Sequence, residues 1–133
     1  MILVDSSVWI DFFNGRSGAA VRCLADLLAD GCAPLGMPDL VLFEVLRGFR
    51  HEQDFQAARR VLSALPVVTI GGEDDALRAA HHYRALRASG VTVRSPIDVL
   101  LGSYCIEHDH ALLHADRDFD VLEAHRGLKV WPH

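Results

Sequence analysis

Short apolar runs alternate along the chain with longer stretches in which apolar residues recur every three or four positions. The short runs are typical of buried strands, and the three-to-four repeat is typical of amphipathic helices. This pattern predicts strands at residues 2–4, 33–35, 67–70, 111–113 and 128–131. It predicts helices that begin at residue 6 or 7 and that cover about residues 20–30, 37–47, 55–65, 73–89 and 95–108.

The strand-then-helix order predicts an α/β fold with a central, mostly parallel sheet of about four to five strands and helices on both faces. At 133 residues, half of them apolar, the chain can form one core, and no linker, repeat or low-complexity segment divides it. We therefore expect one domain over residues 1–133. Sheets of this kind bind ligands in the crevice outside the carboxyl ends of their strands.

The charge balance narrows the classes of function. The chain has 13 Lys and Arg residues against 18 Asp and Glu residues, a formal net charge of −5. This argues against a protein that coats nucleic acid through bulk positive charge, but it does not exclude a nuclease whose metal ions screen its acids. The sequence has no signal-peptide pattern and no apolar run of membrane-spanning length, so we expect a soluble cytoplasmic protein without a membrane partner.

Two aspartates follow predicted strands. Asp5 comes directly after the first strand, and Asp116 comes shortly after the strand at 111–113. Because the carboxyl ends of parallel strands meet at one edge of the sheet, we expect both side chains in the same crevice. For Asp5, an N-cap of the following helix is an equally good interpretation. Asp118 and Asp120 also fit a solvated acidic turn, which we favour for Asp120.

Two further acids lie on predicted helices. Glu44 falls between Leu40 and Val41 on the face that should be buried, where an unpaired glutamate is rare, and an arginine partner is the rival explanation. Asp98 lies at the edge of an apolar stripe, but it also follows Ser95 by three residues, with a proline between them, as in a capping box. A helix N-terminus that points into the crevice satisfies both interpretations of Asp98.

Together these acids predict a single site with only oxygen ligands. Such a set prefers hard cations, Mg²⁺ or Mn²⁺, over zinc. Bound ions of this kind orient and deprotonate a water molecule and stabilise the leaving oxygen of a phosphodiester. The pattern of acids therefore indicates a metal-dependent nuclease.

Four segments carry a resemblance to a known family. They are Ile-Leu-Val-Asp-Ser-Ser-Val-Trp-Ile-Asp at 2–11, the helix at 38–48 that contains Glu44, Ser-Pro-Ile-Asp at 95–98, and the stretch at 112–119 that contains Asp116. In order and spacing they resemble the PIN-domain ribonucleases and, among them, the VapC-type toxins of bacterial toxin–antitoxin pairs. The resemblance covers nearly the whole chain and implies a PIN-like fold.

The resemblance also implies roles for individual residues. The implied catalytic acids are Asp5, Glu44, Asp98 and Asp116. The implied ligands of Mg²⁺ or Mn²⁺ are Asp5, Asp98, Asp116 and Asp118. Ser6 matches the hydroxyl position beside the first acid. His114 stands where the family usually has a hydroxyl residue, two positions before the last acid, and we expect it to substitute as a hydrogen-bond donor.

The implied activity is that of a metal-dependent endoribonuclease toxin that cuts structured RNA, such as loops of transfer RNA or ribosomal RNA. A cognate VapB-type antitoxin is expected to cover the site, in a homodimer or a heterotetramer with the antitoxin. Candidate residues for antitoxin binding include Leu42, Leu46 and Phe49. Candidate residues for the phosphate path are Arg16, Arg22, Arg47, Arg50, Arg94 and Arg117.

Two alternatives concern the use of the acids. The chain could be a non-catalytic PIN scaffold that retains its acids for folding or partner binding, since a fold alone does not establish an activity. It could also be a phosphatase or phosphate-accepting regulator in which Asp5 accepts the phosphoryl group. Such proteins usually carry Asp-x-Asp after the first strand, whereas this chain has Ser7 at the second of those positions.

A third alternative is a zinc site. Cys105, His108, His110 and His114 offer suitable ligand atoms, but His108 and His110 flank a predicted helix-to-strand turn, where histidines are usually just exposed. The three cysteines of the chain are widely spaced, without any CxxC pair. They therefore indicate buried apolar residues in a reducing compartment rather than a disulfide or a structural zinc site.

Overall fold

A computed structural model describes all residues from 1 to 133, in five strands and seven helices. The strands are β1 (Ile2–Val4), β2 (Leu35–Pro38), β3 (Val67–Val68), β4 (Ala111–Leu113) and β5 (Lys129–Val130). The helices are α1 (Ser6–Phe13), α2 (Ala19–Asp30), α3 (Asp39–Leu46), α4 (Glu52–Ser63), α5 (Glu73–Ala88), α6 (Pro96–Glu107) and α7 (Arg117–Arg126).

The five strands form one sheet in the order β3-β2-β1-β4-β5, and every neighbouring pair is parallel. The chain extends the sheet from β1 to β2 and β3, and then returns to the other side of β1 to add β4 and β5. The direction of winding therefore reverses between β1 and β4. In open α/β sheets this reversal creates the crevice in which ligands bind.

Helices cover both faces of the sheet. Connections between parallel strands are right-handed, so the reversal in winding puts α1 to α4 on one face and α5 to α7 on the other. The contacts agree, because α1 packs on α2 and α3, whereas α6 packs on α5 and α7. The residues of β1 are at most 3% exposed, as expected for a strand covered on both sides. The predicted α/β architecture is confirmed. None of the helices combines the length and the apolar character that a membrane span needs.

The second strand lies further along the chain than the pattern predicts. We expected a strand at 33–35 and a helix from Met37, but β2 continues through Met37 to Pro38. Met37 pairs with β3, and its amide donates to the Pro66 carbonyl at 2.8 Å. Pairing with an edge strand thus overrides the local preference for a helix start.

Asp39 sets two element boundaries at once. Its Oδ1 accepts from the amide of Leu40 at 2.9 Å and from the amide of Ile70 at 3.1 Å. The first bond lies in the first turn of α3. The second bond uses the Ile70 amide, which is then not available to pair with a neighbouring strand. As a result β3 ends at Val68, whereas the β-branched run predicted a strand to Ile70.

The segment after Asp116 is a helix and not the acidic turn that we considered for Asp118 and Asp120. Phe119 and Leu122, three residues apart, are fully buried on its inner face. Acids occupy its first turn, basic residues occupy its last turn, and a glycine with φ 78° ends it. These residues are ordinary helix signals, and they are visible in the sequence.

Candidate metal centre

The candidate site lies at the carboxyl ends of β1 and β4, where the winding reverses. Val4 pairs with Leu113, and the Asp5 amide donates to the Leu113 carbonyl at 3.0 Å. This pairing fixes Asp5 beside the end of β4, and the chain reaches Asp116 three residues after Leu113. The two strand-end aspartates are therefore held on neighbouring strands, as the sequence predicts.

Asp5 is 3% exposed and has no basic partner. Its backbone occupies the N-cap position of α1, but its carboxylate makes no capping hydrogen bond. Instead, Oδ2 accepts from the Ser7 hydroxyl at 2.5 Å. Burial raises the pKa of Asp5, the hydrogen bond from Ser7 opposes this rise, and the charge of Asp116 adds to it. The hydrogen bond from Ser7 thus orients the Asp5 carboxylate, which does not cap α1.

Asp98, Asp116 and Asp118 form the tightest group of acids. One carboxylate oxygen from each lies within 4.8 Å of the others. Asp116 caps α7, because its Oδ1 accepts from the Asp118 amide at 2.9 Å. This bond positions two of the three carboxylates relative to each other.

The start of α6 positions the third carboxylate. The Ser95 hydroxyl accepts from the Asp98 amide at 3.4 Å, so the serine half of the expected capping box is present. The Asp98 carboxylate does not complete the box and lies among the other acids instead. Burial, followed by the charges of Asp5, Asp116, Glu44 and Asp118, raises the pKa of Asp98 from 3.8 to about 7. Asp98 is therefore the carboxylate on which the charges of the four other acids act together.

Glu44 approaches the cluster from α3. Its Oε1 is buried without a hydrogen-bond partner. Burial raises the pKa of Glu44, the Ser6 hydroxyl lowers it, and the charge of Asp5 raises it further. The rival explanation, an arginine partner, is not observed, because the Arg47 guanidinium lies over the Phe43 ring instead, 5.4 Å from its centroid. Glu44 thus has an unsatisfied oxygen beside a cluster of carboxylates.

His114 supports the end of β4 from within the core. It is 4% exposed, and its Nδ1 accepts from the Asp116 amide at 3.1 Å. Its Nε2 has no hydrogen-bond partner and lies 3.9 Å from Asp120. Burial lowers the pKa of His114, so the ring is neutral with its proton on Nε2. The expectation of a hydrogen-bond donor is wrong for this contact, since the histidine accepts a bond from the backbone.

A hard divalent cation fits this donor set. The ligand atoms are carboxylate oxygens, one buried glutamate oxygen is unsatisfied, and burial together with four acidic neighbours raises the pKa of Asp98 to about 7. A cation among these groups relieves their mutual repulsion. The zinc alternative is not supported, because Cys105, His108, His110 and His114 form no comparable group. The carboxylates of Asp5 and Glu44 lie outside this group of closest oxygens, but their charges raise the pKa of Asp98 within it.

Two contacts with the site carboxylates were not predicted from the sequence. Ser7 holds Asp5, although the resemblance pointed to the hydroxyl of Ser6. Arg94 was proposed only for the phosphate path, but its amide lies 3.5 Å and its guanidinium Nε 3.9 Å from Asp118 Oδ2. The hydroxyl next to Ser6 was a visible signal. The contact between the loop before α6 and the start of α7 depends on tertiary packing and has no local signature.

Comparison with known proteins agrees with this geometry. The PIN domain family model matches residues 2–124. The chain is 33% identical over 130 residues to the ribonuclease VapC11 of Mycobacterium tuberculosis and, equally, to a VapC ribonuclease of Mycobacterium bovis, covering 98% of this chain and 97% of each relative. The structure of VapBC2 from Rickettsia felis bound to a promoter DNA fragment superimposes with a TM-score of 0.74 at 16% identity, over 99% of this chain and 100% of that one. The chain belongs to the PIN-domain family and, within it, to the VapC ribonucleases.

Proposed function

We propose that this chain is a metal-dependent endoribonuclease toxin that hydrolyses phosphodiester bonds in structured RNA. The observation that carries the proposal is the convergence of the Asp98, Asp116 and Asp118 carboxylates within 4.8 Å, where burial and the charges of the neighbouring acids raise the pKa of Asp98 to about 7. A protein that retained these acids only for folding would gain stability by replacing some of them, since like charges in a partly buried site repel. A bound metal ion would offset this repulsion and would explain why the acids lie together.

In this proposal the cation is held by Asp98, Asp116 and Asp118, whose oxygens lie within 4.8 Å of one another, and by Asp5, whose carboxylate lies outside that group and whose charge acts on Asp98. It is Mg²⁺ or Mn²⁺, because every donor is a carboxylate oxygen. When bound, the cation lowers the pKa of a water molecule and neutralises charge on the phosphodiester. Glu44, whose Oε1 is unsatisfied, accepts a hydrogen bond from the attacking water in this proposal. Ser7 orients Asp5 through its hydroxyl, and the Ser6 hydroxyl lowers the pKa of Glu44.

His114 is a positioning residue in this proposal. Its Nδ1 holds the amide of Asp116, which in turn caps α7 and fixes Asp118. A buried neutral imidazole does this without adding a positive charge that would compete with the cation. The ring therefore takes the place of the hydroxyl residue that the family usually has at this position.

The proposed substrates are transfer RNA or ribosomal RNA, cut in regions with unpaired bases. The net charge of −5 gives the chain little general attraction for polyanions, so binding depends on local basic side chains. Arg94 is the best supported of the candidates for the phosphate path, because it is 88% exposed and adjoins Asp118.

We further propose that the chain is neutralised by a cognate VapB-type antitoxin, in a homodimer or a heterotetramer with it. The solved relatives include VapBC2 of Rickettsia felis and a toxin–antitoxin complex from Klebsiella pneumoniae, the latter with a TM-score of 0.72. Large apolar side chains such as Phe43 (57% exposed) and Leu77 (65% exposed) are available for such contacts. Phe49, one of the residues expected to bind antitoxin, lines a partly polar groove.

The proposal is tested by incubating end-labelled transfer RNA and ribosomal RNA with the purified chain, free of antitoxin, in Mg²⁺, Mn²⁺ or EDTA. We expect discrete products that need metal and that disappear in Asp5→Asn. The matched control, Asp26→Asn, removes an exposed acid from α2 and should cleave like the parent. A folded chain that binds no metal and cuts no RNA would replace the proposal with the non-catalytic scaffold.

A further inference from the structure

A pocket lies between α5 and α6, beside the acidic cluster but separate from it. Its volume is about 450 Å³, within the range of about 300 to 1,000 Å³ of small-molecule sites. Its lining is mainly apolar, from Ala76, Ala79, Ala80, Tyr83, Val93, Pro96, Val99 and Leu100. The side chains of Ala79, Val93 and Val99 are buried, and those of the other two alanines are exposed. This lining suits a flat, apolar group about the size of an aromatic ring system.

The charged residues of the pocket are all basic. Arg84 and Arg94 complete the lining, which contains no acidic residue although acids outnumber basic residues in the chain. Arg84 is exposed and forms no ion pair. A third arginine, Arg87, stacks its guanidinium 5.7 Å from the centroid of the Tyr83 ring. The pocket therefore offers an apolar surface with an aromatic ring and free positive charge at its edge, which complements a nucleotide.

The pocket adjoins the candidate metal centre. Arg94 lines the pocket, and its amide lies 3.5 Å from Asp118 Oδ2. Pro96 also lines the pocket, and Asp98 follows it by two residues in the first turn of α6. Arg94 therefore lies both at the pocket and beside a carboxylate of the acidic cluster.

From this arrangement we propose that the pocket between α5 and α6 binds one unpaired base of the RNA, next to the phosphate that is cut. This inference rests on the proposed ribonuclease function and adds to it the element that selects the substrate. The base packs on the alanines and on the Tyr83 ring, and Arg84 and Arg94 hold its flanking phosphates. An extruded base can enter such a pocket and a paired base cannot, so the pocket directs cleavage to unpaired positions.

The test uses the full chain with alanine methyl groups labelled for NMR. AMP, GMP, CMP, UMP and ribose 5-phosphate are titrated separately, without divalent metal. We expect at least one nucleotide to shift the methyl signals of Ala76, Ala79 and Ala80 in a saturable way, and ribose 5-phosphate to leave them unchanged. Shifts with none of the nucleotides, or equal shifts with ribose 5-phosphate, would overturn the proposal.

Two pairs of variants localise the effect. Ala80→Leu fills the pocket and should weaken nucleotide binding by about tenfold or more, whereas Ala88→Leu on the same helix lies outside the lining and should not. Arg84→Gln keeps the shape of the pocket and should weaken binding several-fold, with Arg78→Gln as its control. Binding that ignores both Ala80→Leu and Arg84→Gln would put the nucleotide elsewhere and overturn the proposal.

Two other occupants give different outcomes. If the parent sediments as a dimer and Ala80→Leu as a monomer, with no nucleotide binding in either, the pocket is an interface between copies. If only an antitoxin segment shifts the methyl signals, the pocket serves that partner. Cleavage of RNA by the parent without nucleotide binding would overturn this inference alone. Nucleotide binding at the pocket by a chain that cuts no RNA would overturn the proposed function, but the pocket would still be a nucleotide-binding site.

Discussion

At the scale of single residues, the site is dominated by carboxylates, of which only Asp118 forms an ion pair, with Arg94. Asp98 has the largest resolved pKa shift among them, to about 7, with burial as the first cause. Asp5 and Glu44 shift in the same direction, also mainly through burial. Without a cation, these residues lower the stability of the fold. The same residues should therefore link stability, pH and metal binding.

Replacing Asp98 by Asn should stabilise the metal-free protein at neutral pH. Because the pKa of Asp98 is raised in the fold, the folded state binds more protons than the unfolded state between pH 3.8 and about 7, and stability falls as pH rises through that window. The shift corresponds to about 4 kcal/mol for a fully buried group, and we expect about 1 to 2 kcal/mol because Asp98 is only half-buried. Urea unfolding in EDTA from pH 5 to 8 measures this gain, which should shrink toward pH 5. An equal gain at all pH values would disprove the electrostatic explanation.

Replacing His114 separates its hydrogen bond from its bulk. His114→Leu fills much of the space but leaves the buried amide of Asp116 without its acceptor, which should cost about 1 to 3 kcal/mol of stability. His114→Asn retains an acceptor at a similar position and should lose less. The readout specific to positioning is the affinity for Mn²⁺ measured by calorimetry. It should fall in His114→Leu and recover at least in part in His114→Asn; equal affinities in all three proteins would remove the positioning role.

At the scale of elements, the candidate site depends on how α6 and α7 pack, and the sequence predicted this only in part. The strand ends after β1 and β4 could be placed from the apolar runs that precede Asp5 and Asp116. The helix after Asp116 could have been recognised from its capping aspartate and C-terminal glycine. The packing between α6 and α7 could not, because it depends on Gly102, where an added Cβ would lie 2.5 Å from Leu122 Cδ1.

A polar network joins the far ends of the same helices. His82 of α5 is 4% exposed, its Nε2 lies 2.8 Å from Glu107 of α6, and its Nδ1 accepts from Arg126 of α7 at 2.9 Å. Each of the two ring nitrogens therefore connects to a different helix. No local pattern in the sequence pointed to this network, since its three members are far apart in the chain.

His82→Leu should destabilise the protein by about 1 to 2 kcal/mol. The substitution removes both hydrogen bonds, and the penalty is limited because Glu107 is 33% exposed and regains water. His81→Leu, at the exposed neighbouring position, is the matched control and should change stability by less than about 0.5 kcal/mol. Urea unfolding of both variants provides the measurement. A loss no larger in His82→Leu than in His81→Leu would contradict a structural role for the network.

At the scale of the whole molecule, the order of strands creates the site. The sheet grows in both directions from β1, so Asp5 and Asp116 come from strands that are distant in sequence and adjacent in space. The sequence predicted the parallel sheet and the crevice, because both follow from the alternation of strands and helices. It did not predict the pocket between α5 and α6, because the pocket depends on how two helices that are separate in sequence pack together. A metal ion at the crevice and a base in this pocket would together make the chain an RNA-cutting enzyme with its own selectivity.

The measurement that tests the central claim most directly is the initial rate of RNA cleavage as a function of Mn²⁺ concentration, for the parent, Asp98→Asn and Asp30→Asn. We predict no cleavage in EDTA, a saturable rise with Mn²⁺ in the parent, and a loss of at least about a hundredfold in Asp98→Asn. Asp30→Asn, which changes an exposed acid at the end of α2, should follow the parent curve. Cleavage that persists in EDTA, or that proceeds at the parental rate in Asp98→Asn, would contradict a metal site built from these acids.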